Sequence, residues 1–76
     1  MTVQELIQLV NDKFLFEPAT EAVLKHAEHF VTQVARDNWP EVHSVTAELN
    51  VHDRSIALNF AFYTEQDYIW WKLKNG

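Results

Sequence analysis

Thr64-Glu65-Gln66-Asp67-Tyr68-Ile69-Trp70-Trp71-Lys72-Leu73-Lys74 carries two incompatible periodicities. Read as a helix, it has good punctuation. Thr64 is an N-cap residue, Asp67 follows three later, Lys72 and Lys74 sit near the end, and Gly76 lies beyond. Read as a strand, it has better patterning, because Ile69, Trp71 and Leu73 alternate with Trp70, Lys72 and Lys74. Wound into a helix, Tyr68, Ile69, Trp70, Trp71 and Leu73 would point nearly all round. β-propensity also favours Tyr-Ile-Trp-Trp. The segment is expected to be a third strand, with a third helix as the alternative.

The preceding residues supply that strand's partner. From Val42 the apolar period is two. Val45, Ala47, Leu49 and Val51 alternate with Thr46, Glu48, Asn50 and His52, and Ile56, Leu58, Phe60 and Phe62 alternate with Ala57, Asn59, Ala61 and Tyr63. A hairpin around Asp53-Arg54 pairs 51 with 56, 49 with 58, 47 with 60 and 45 with 62, apolar against apolar throughout. A loop over 64–67 then pairs 62 with 69, 60 with 71 and 58 with 73. A slip of one residue would turn one apolar set to the wrong face. By the same parity His43 faces inward, and His52 falls at the turn.

Upstream the period is helical. Thr2 and Glu5 fit a capping box, and Val3, Leu6, Ile7, Val10 and Phe14 share one face of a helix over about 3–14. Phe14-Leu15-Phe16 reads as an apolar link that plugs the core. A second helix is expected over about 18–37, with Pro18 at its first position. Val23, Leu24, Ala27, Phe30, Val31, Val34 and Ala35 form its apolar stripe, and Lys25, Glu28, Thr32 and Arg36 its opposite side. It ends before Trp39-Pro40, where proline forbids helical geometry in the preceding residue, and Asn38 is suited to a left-handed terminating conformation. The fold class is α+β: two N-terminal helices packed on one face of an antiparallel β-meander (α-α-β-β-β), with α-α-β-β-α as the fallback.

Composition limits the rest. The sequence has 76 residues, an apolar fraction of 47% and no cysteine, so residues 1–76 are read as a single domain without disulfide staples or thiolate metal sites. A chain of this length is marginally stable alone. Its three Trp and five Phe suit a small core, because large rings bury much area per residue. The start lacks a secretory pattern and no apolar run approaches a membrane span, so a cytoplasmic protein without membrane contact is expected. The net charge is −5, concentrated in residues 1–41. That acidity counts against nucleic-acid binding, which depends on neutralising phosphates.

Chemistry-bearing constellations are weak. His26 and His29 are three apart on helix two, but a zinc site needs three or four ligands and nothing else converges. There is no phosphate loop, dinucleotide fingerprint or nucleophile elbow. The scattered carboxylates form no pair placed to shift a pKa. No catalytic residue, metal ligand or cofactor site is expected.

The remaining feature is the outer face of the sheet, since two helices cover only one side. Parity places Thr46, Asn59, Ala57, Ala61, Tyr63, Tyr68 and Trp70 there, with large rings beside alanines as at binding hot spots. The simpler alternative is that Trp70 lies over Ala61 to shield the strand. Strand one also forms a long edge without Pro or Lys, open to pairing with another chain. The expected function is a small non-enzymatic protein-interaction module that self-associates as a homodimer through this face or edge. An acidic decoy of a basic or nucleic-acid-binding protein and, behind it, a single-stranded nucleic-acid binder are the alternatives.

Overall fold

The computed structural model describes residues 1–75. The order is α1 (Val3–Lys13), α2 (Glu21–Asn38), β1 (Val42–Leu49), β2 (Ile56–Phe62) and α3 (Glu65–Asn75). The class is α+β, but the third strand is corrected to a third helix, leaving a two-stranded antiparallel sheet. Two physical effects favour the helix. Thr64 Oγ1 accepts from Asp67 N–H at 3.1 Å, so the cap forms. In addition, only one ring of the segment has to be placed inside. Trp71 lies 5.0 Å from Phe60, 5.2 Å from Phe62 and 6.0 Å from Trp39, ring centre to ring centre. Tyr68 touches the cluster at Phe62, and Ile69, Trp70 and Leu73 stay outside it.

The core is built by α1, α2 and the hairpin. Leu6 and Val10 of α1, Ala27, Val31 and Ala35 of α2, and Val42, Val45, Ala47 and Ile56 of the strands are buried, with Trp39 closing one end. Ala27, Val31 and Ala35 recur every four residues, which keeps them on one face of the helix. The Thr2–Glu5 capping box forms in both directions. The backbone N–H of Thr2, followed by its hydroxyl, holds the Glu5 carboxyl below its ordinary pKa.

Three local expectations are corrected. Helix two starts at Glu21 with Thr20 as its cap, so Pro18 lies outside it. Asn38 stays helical, donating to the Val34 carbonyl, and Trp39 ends the helix in an extended conformation. Of the expected plug, only Phe14 packs inward, edge-on to Phe30; Phe16 is 95% exposed.

The hairpin keeps the expected parity but shifts by two residues. Leu49 pairs with Ile56, Ala47 with Leu58 and Val45 with Phe60. The cause is the turn chemistry of Asn50 and Asp53. Asn50 Oδ1 accepts from His52 N–H, Asp53 Oδ1 accepts from both the backbone and the hydroxyl of Ser55, and Arg54 takes a left-handed φ of 60°. Asx turns of this kind offer the backbone a local alternative to the ladder. Val51 is therefore left in the loop, exposed. A bulge between Val42 and Ser44 turns His43 outward, against its expected inward position. An extra residue on one strand reverses the parity that follows it.

One ion pair ties α3 to the rest. Lys74 Nζ lies 2.9 Å from Glu41 Oε1, and the Glu41 side chain is largely enclosed. The lysine holds the Glu41 carboxyl below its ordinary pKa. A lowered folded-state pKa stabilises above the ordinary carboxylate range and is lost as pH falls through the folded value. Acid should therefore loosen α3. In Lys74→Met, the fall in melting temperature between about pH 6 and about pH 3 is expected to be smaller than in the parent. Equal falls in the two proteins would show that this pair contributes nothing.

Candidate interaction surface

One side of the sheet carries Val45, Ala47, Phe60 and Phe62. Phe60 and Phe62 face Trp71 of α3, while Val45 and Ala47 face α2. The other side carries Thr46 opposite Asn59, Ala61 opposite Ser44, and Ala57 opposite Glu48, with Thr46, Asn59, Ala57 and Ala61 all exposed. Next to β2, Tyr63 stacks edge-on against His43 at 4.9 Å, and its hydroxyl accepts from Arg36 Nη2 at 3.3 Å.

The structure does not put Tyr68 and Trp70 on that face. Both belong to α3. Tyr68 leans on Phe62 at 5.4 Å, with Lys72 Nζ 5.8 Å from its ring. Trp70 is 57% exposed, and Ile69 and Leu73, at 49% and 74%, lie beside it. At 100° per residue, Ile69 and Leu73 stand roughly opposite Trp71 and Trp70 lies on their flank. The seven expected contact residues thus divide into a small-residue polar sheet face and part of an apolar helix surface. Sequence reasoning missed Ile69 and Leu73 as surface residues because strand parity turned them inward. The helix punctuation from Thr64 to Lys74 was the signal that located them.

The strand edges are corrected as well. Strand one is guarded over its middle. Val45 N–H donates to Thr32 Oγ1 at 3.0 Å, the same hydroxyl donates to Val45 O at 3.1 Å, and Ala47 N–H donates to Glu28 Oε1 at 2.9 Å. Glu28 and Thr32, expected on the solvent side of α2, are a turn apart and both reach this edge. Asn11 does the same for β2 at Ile56. Its Oδ1 accepts from Ile56 N–H at 2.8 Å, and its Nδ2 donates to Ile56 O at 3.2 Å and to Ile7 O at 2.8 Å.

Other candidate chemistry is dispersed. His26 stacks edge-on with Phe14 at 5.6 Å, and no three His, Cys, Asp or Glu gather among the described residues. A cavity of about 190 Å³ lies between Phe14, Leu24, Leu49, Ile56, Glu17 and Arg54, and two shallower hollows of about 330 and 410 Å³ lie beside Lys13, Val23 and His26 and beside Glu65, Ile69, Trp70 and Leu73. The cations are also separated. Lys13 lies over Phe30 at 4.8 Å, Lys25 lies 3.9 Å from Glu21, and Lys74 is held by Glu41. Among the described residues, no helix is long and apolar enough to cross a membrane. No known family model, curated protein or solved structure matches this chain.

Proposed function

We propose that this chain is a non-enzymatic protein-interaction module that self-associates, with the outer side of α3 among the surfaces it buries. The observation that carries this reading is the apolar group Ile69, Trp70 and Leu73, exposed together on one helix. Grouped apolar exposure marks contact sites, and Trp is enriched where contacts carry most of the binding energy. Small size supports it too. The ten buried apolar side chains make a modest core for a domain of this length, and association adds stability by mass action.

The test is light scattering after gel filtration over a concentration series. The parent should gain mass with concentration, and Trp70→Asp should weaken association by about thirtyfold or more, the effect of a hot-spot residue. Trp70 is exposed in the isolated chain, so at dilutions where the parent is monomeric the melting temperature should change little. A parent that stays monomeric, together with a Trp70→Asp variant that behaves identically, would remove this reading.

A further inference from the structure

The far edge of β2 carries a run of backbone without a partner. In an antiparallel pair, opposite residues alternate between those that bond each other and those whose N–H and C=O point away. Val45 and Ala47 point away from β2, since α2 side chains take up their groups. Their opposite numbers, Phe60 and Leu58, therefore point their own N–H and C=O outward from the far edge of the sheet. Ile56 is the next such residue, and Asn11 occupies it. Among the described residues, nothing bonds the outward groups of Leu58 or Phe60.

The apolar cover is incomplete at the same place. On the helix-covered face Val42, Val45 and Ala47 are buried, whereas Phe62, Phe60 and Leu58 across from them are only half-buried. β2 reads Ile-Ala-Leu-Asn-Phe-Ala-Phe and carries no charge or proline, the usual devices that blunt an edge. Thr32 takes up both outward groups of Val45, Glu28 takes up the N–H of Ala47 and Asn11 takes up both groups of Ile56; no side chain does the same for Leu58 and Phe60.

We infer that β2 pairs antiparallel with β2 of a second copy of this chain, Leu58 opposite Phe60 of that copy and Phe60 opposite its Leu58, making one four-stranded sheet. The inference rests on the reading of the chain as a self-associating module and names the contact that makes the pair. The occupant follows from self-complementarity. In this register all four outward groups of Leu58 and Phe60 are satisfied in both copies. Leu58 packs beside Phe60 on the covered face, and Ala57 meets Ala61 on the open face. Asn59 meets its own equivalent on the two-fold axis, where two carboxamides can exchange hydrogen bonds. The uncharged strand also lets two copies of an acidic chain approach without opposing charges on the ladder. A stable pair needs about 800 Å² from each partner, roughly 15% of the 5391 Å² surface of this chain. The ladder alone is too small. The half-buried Leu58, Phe60 and Phe62 and the exposed Ile69, Trp70 and Leu73 of α3, a helix that packs on this stretch of β2 through Trp71, are the apolar area available to complete it.

The full chain tests this through its backbone and its two-fold axis. N-methyl-Leu58, introduced by chemical synthesis, removes one outward donor and keeps the side chain. Asn59→Lys and Asn59→Asp alter a side chain already in solvent, and each sets like charges against each other only in this register. Each of the three changes should weaken dimerisation by about tenfold or more, and mixing the Lys and Asp variants should restore a mixed dimer. Amide exchange at Leu58 and Phe60 should slow as the parent dimerises. A dimer in which those two amides still exchange freely, and which only Trp70→Asp disrupts, overturns the ladder and leaves the module reading in place. A parent that remains monomeric overturns both.

Discussion

Trp71→Ala is expected to destabilise the chain by about 3 kcal/mol and to release α3 from the sheet. Trp71 is the ring through which α3 joins the aromatic cluster of Trp39, Phe60 and Phe62, and no residue of α3 is fully buried. Without it the helix retains the Glu41–Lys74 pair and the outer ring of Tyr68. An eleven-residue helix is too short to persist in water unsupported. Far-UV circular dichroism should lose helical signal, and the urea midpoint should fall. Two controls isolate the cause. Trp71→Phe keeps a ring in place and removes an indole N–H that is buried without a hydrogen-bond partner among the described residues, so about 1 kcal/mol is expected. At dilutions where the protein is monomeric, Trp70→Ala should stay within about 0.5 kcal/mol, as at an exposed site. If Trp70→Ala cost as much as Trp71→Ala, the assignment of inner and outer sides of α3 would be wrong.

Asn11→Ala should cost about 2–3 kcal/mol, an effect far larger than the area of the side chain suggests. One carboxamide makes three hydrogen bonds, two of them to the N–H and C=O of Ile56. Ile56 is buried, so removing the carboxamide leaves part-buried backbone groups without partners rather than exchanging one bond for water. Asn11→Asp separates the two halves of the clamp. The acceptor for Ile56 N–H survives, but the donor becomes a second oxygen facing two carbonyls, and the loss should match or exceed that of Ala. Urea unfolding with an unchanged slope would report this as stability alone. A cost below about 0.5 kcal/mol for both variants would mean that water replaces the clamp without penalty.

Much of this fold is legible in the sequence because its signals are local. The Thr2–Glu5 box, the α2 stripe and the alternation from Val45 to Phe62 each fall within a few residues of one another. From Ser44 onward the faces of both strands follow from parity alone, so a two-residue error in pairing left Val45, Ala47, Leu49, Ile56, Leu58, Phe60 and Phe62 on the correct side; Val42 turns inward only through the bulge, and Val51 falls in the loop. The errors share one origin. Where two signals compete, the outcome depends on what lies across the fold. Thr64–Lys74 alternates like a strand, yet a single ring needed a place against Trp39 and Phe60, and a capped helix supplied it. Glu28 and Thr32 look like solvent-facing residues of an amphipathic helix, and their role appears only once β1 lies beside them. The candidate surface was half legible for the same reason. Thr46, Ala57, Asn59 and Ala61 follow from strand parity, whereas the grouping of Trp70 with Ile69 and Leu73 needs the helix.

The side chains that guard the strand edges also order the assembly of the molecule. Thr32 meets Val45 across 13 residues and Glu28 meets Ala47 across 19, whereas Asn11 meets Ile56 across 45. Closing the longer loop costs about 1 kcal/mol more chain entropy than closing the shortest. Chain entropy therefore favours a folding nucleus of α2 and the hairpin, with α1 expected to dock afterwards. Until it does, Ile56 and its neighbours along the strand present a longer unsealed border than the finished protein, and crowding of nascent chains is most hazardous in that interval.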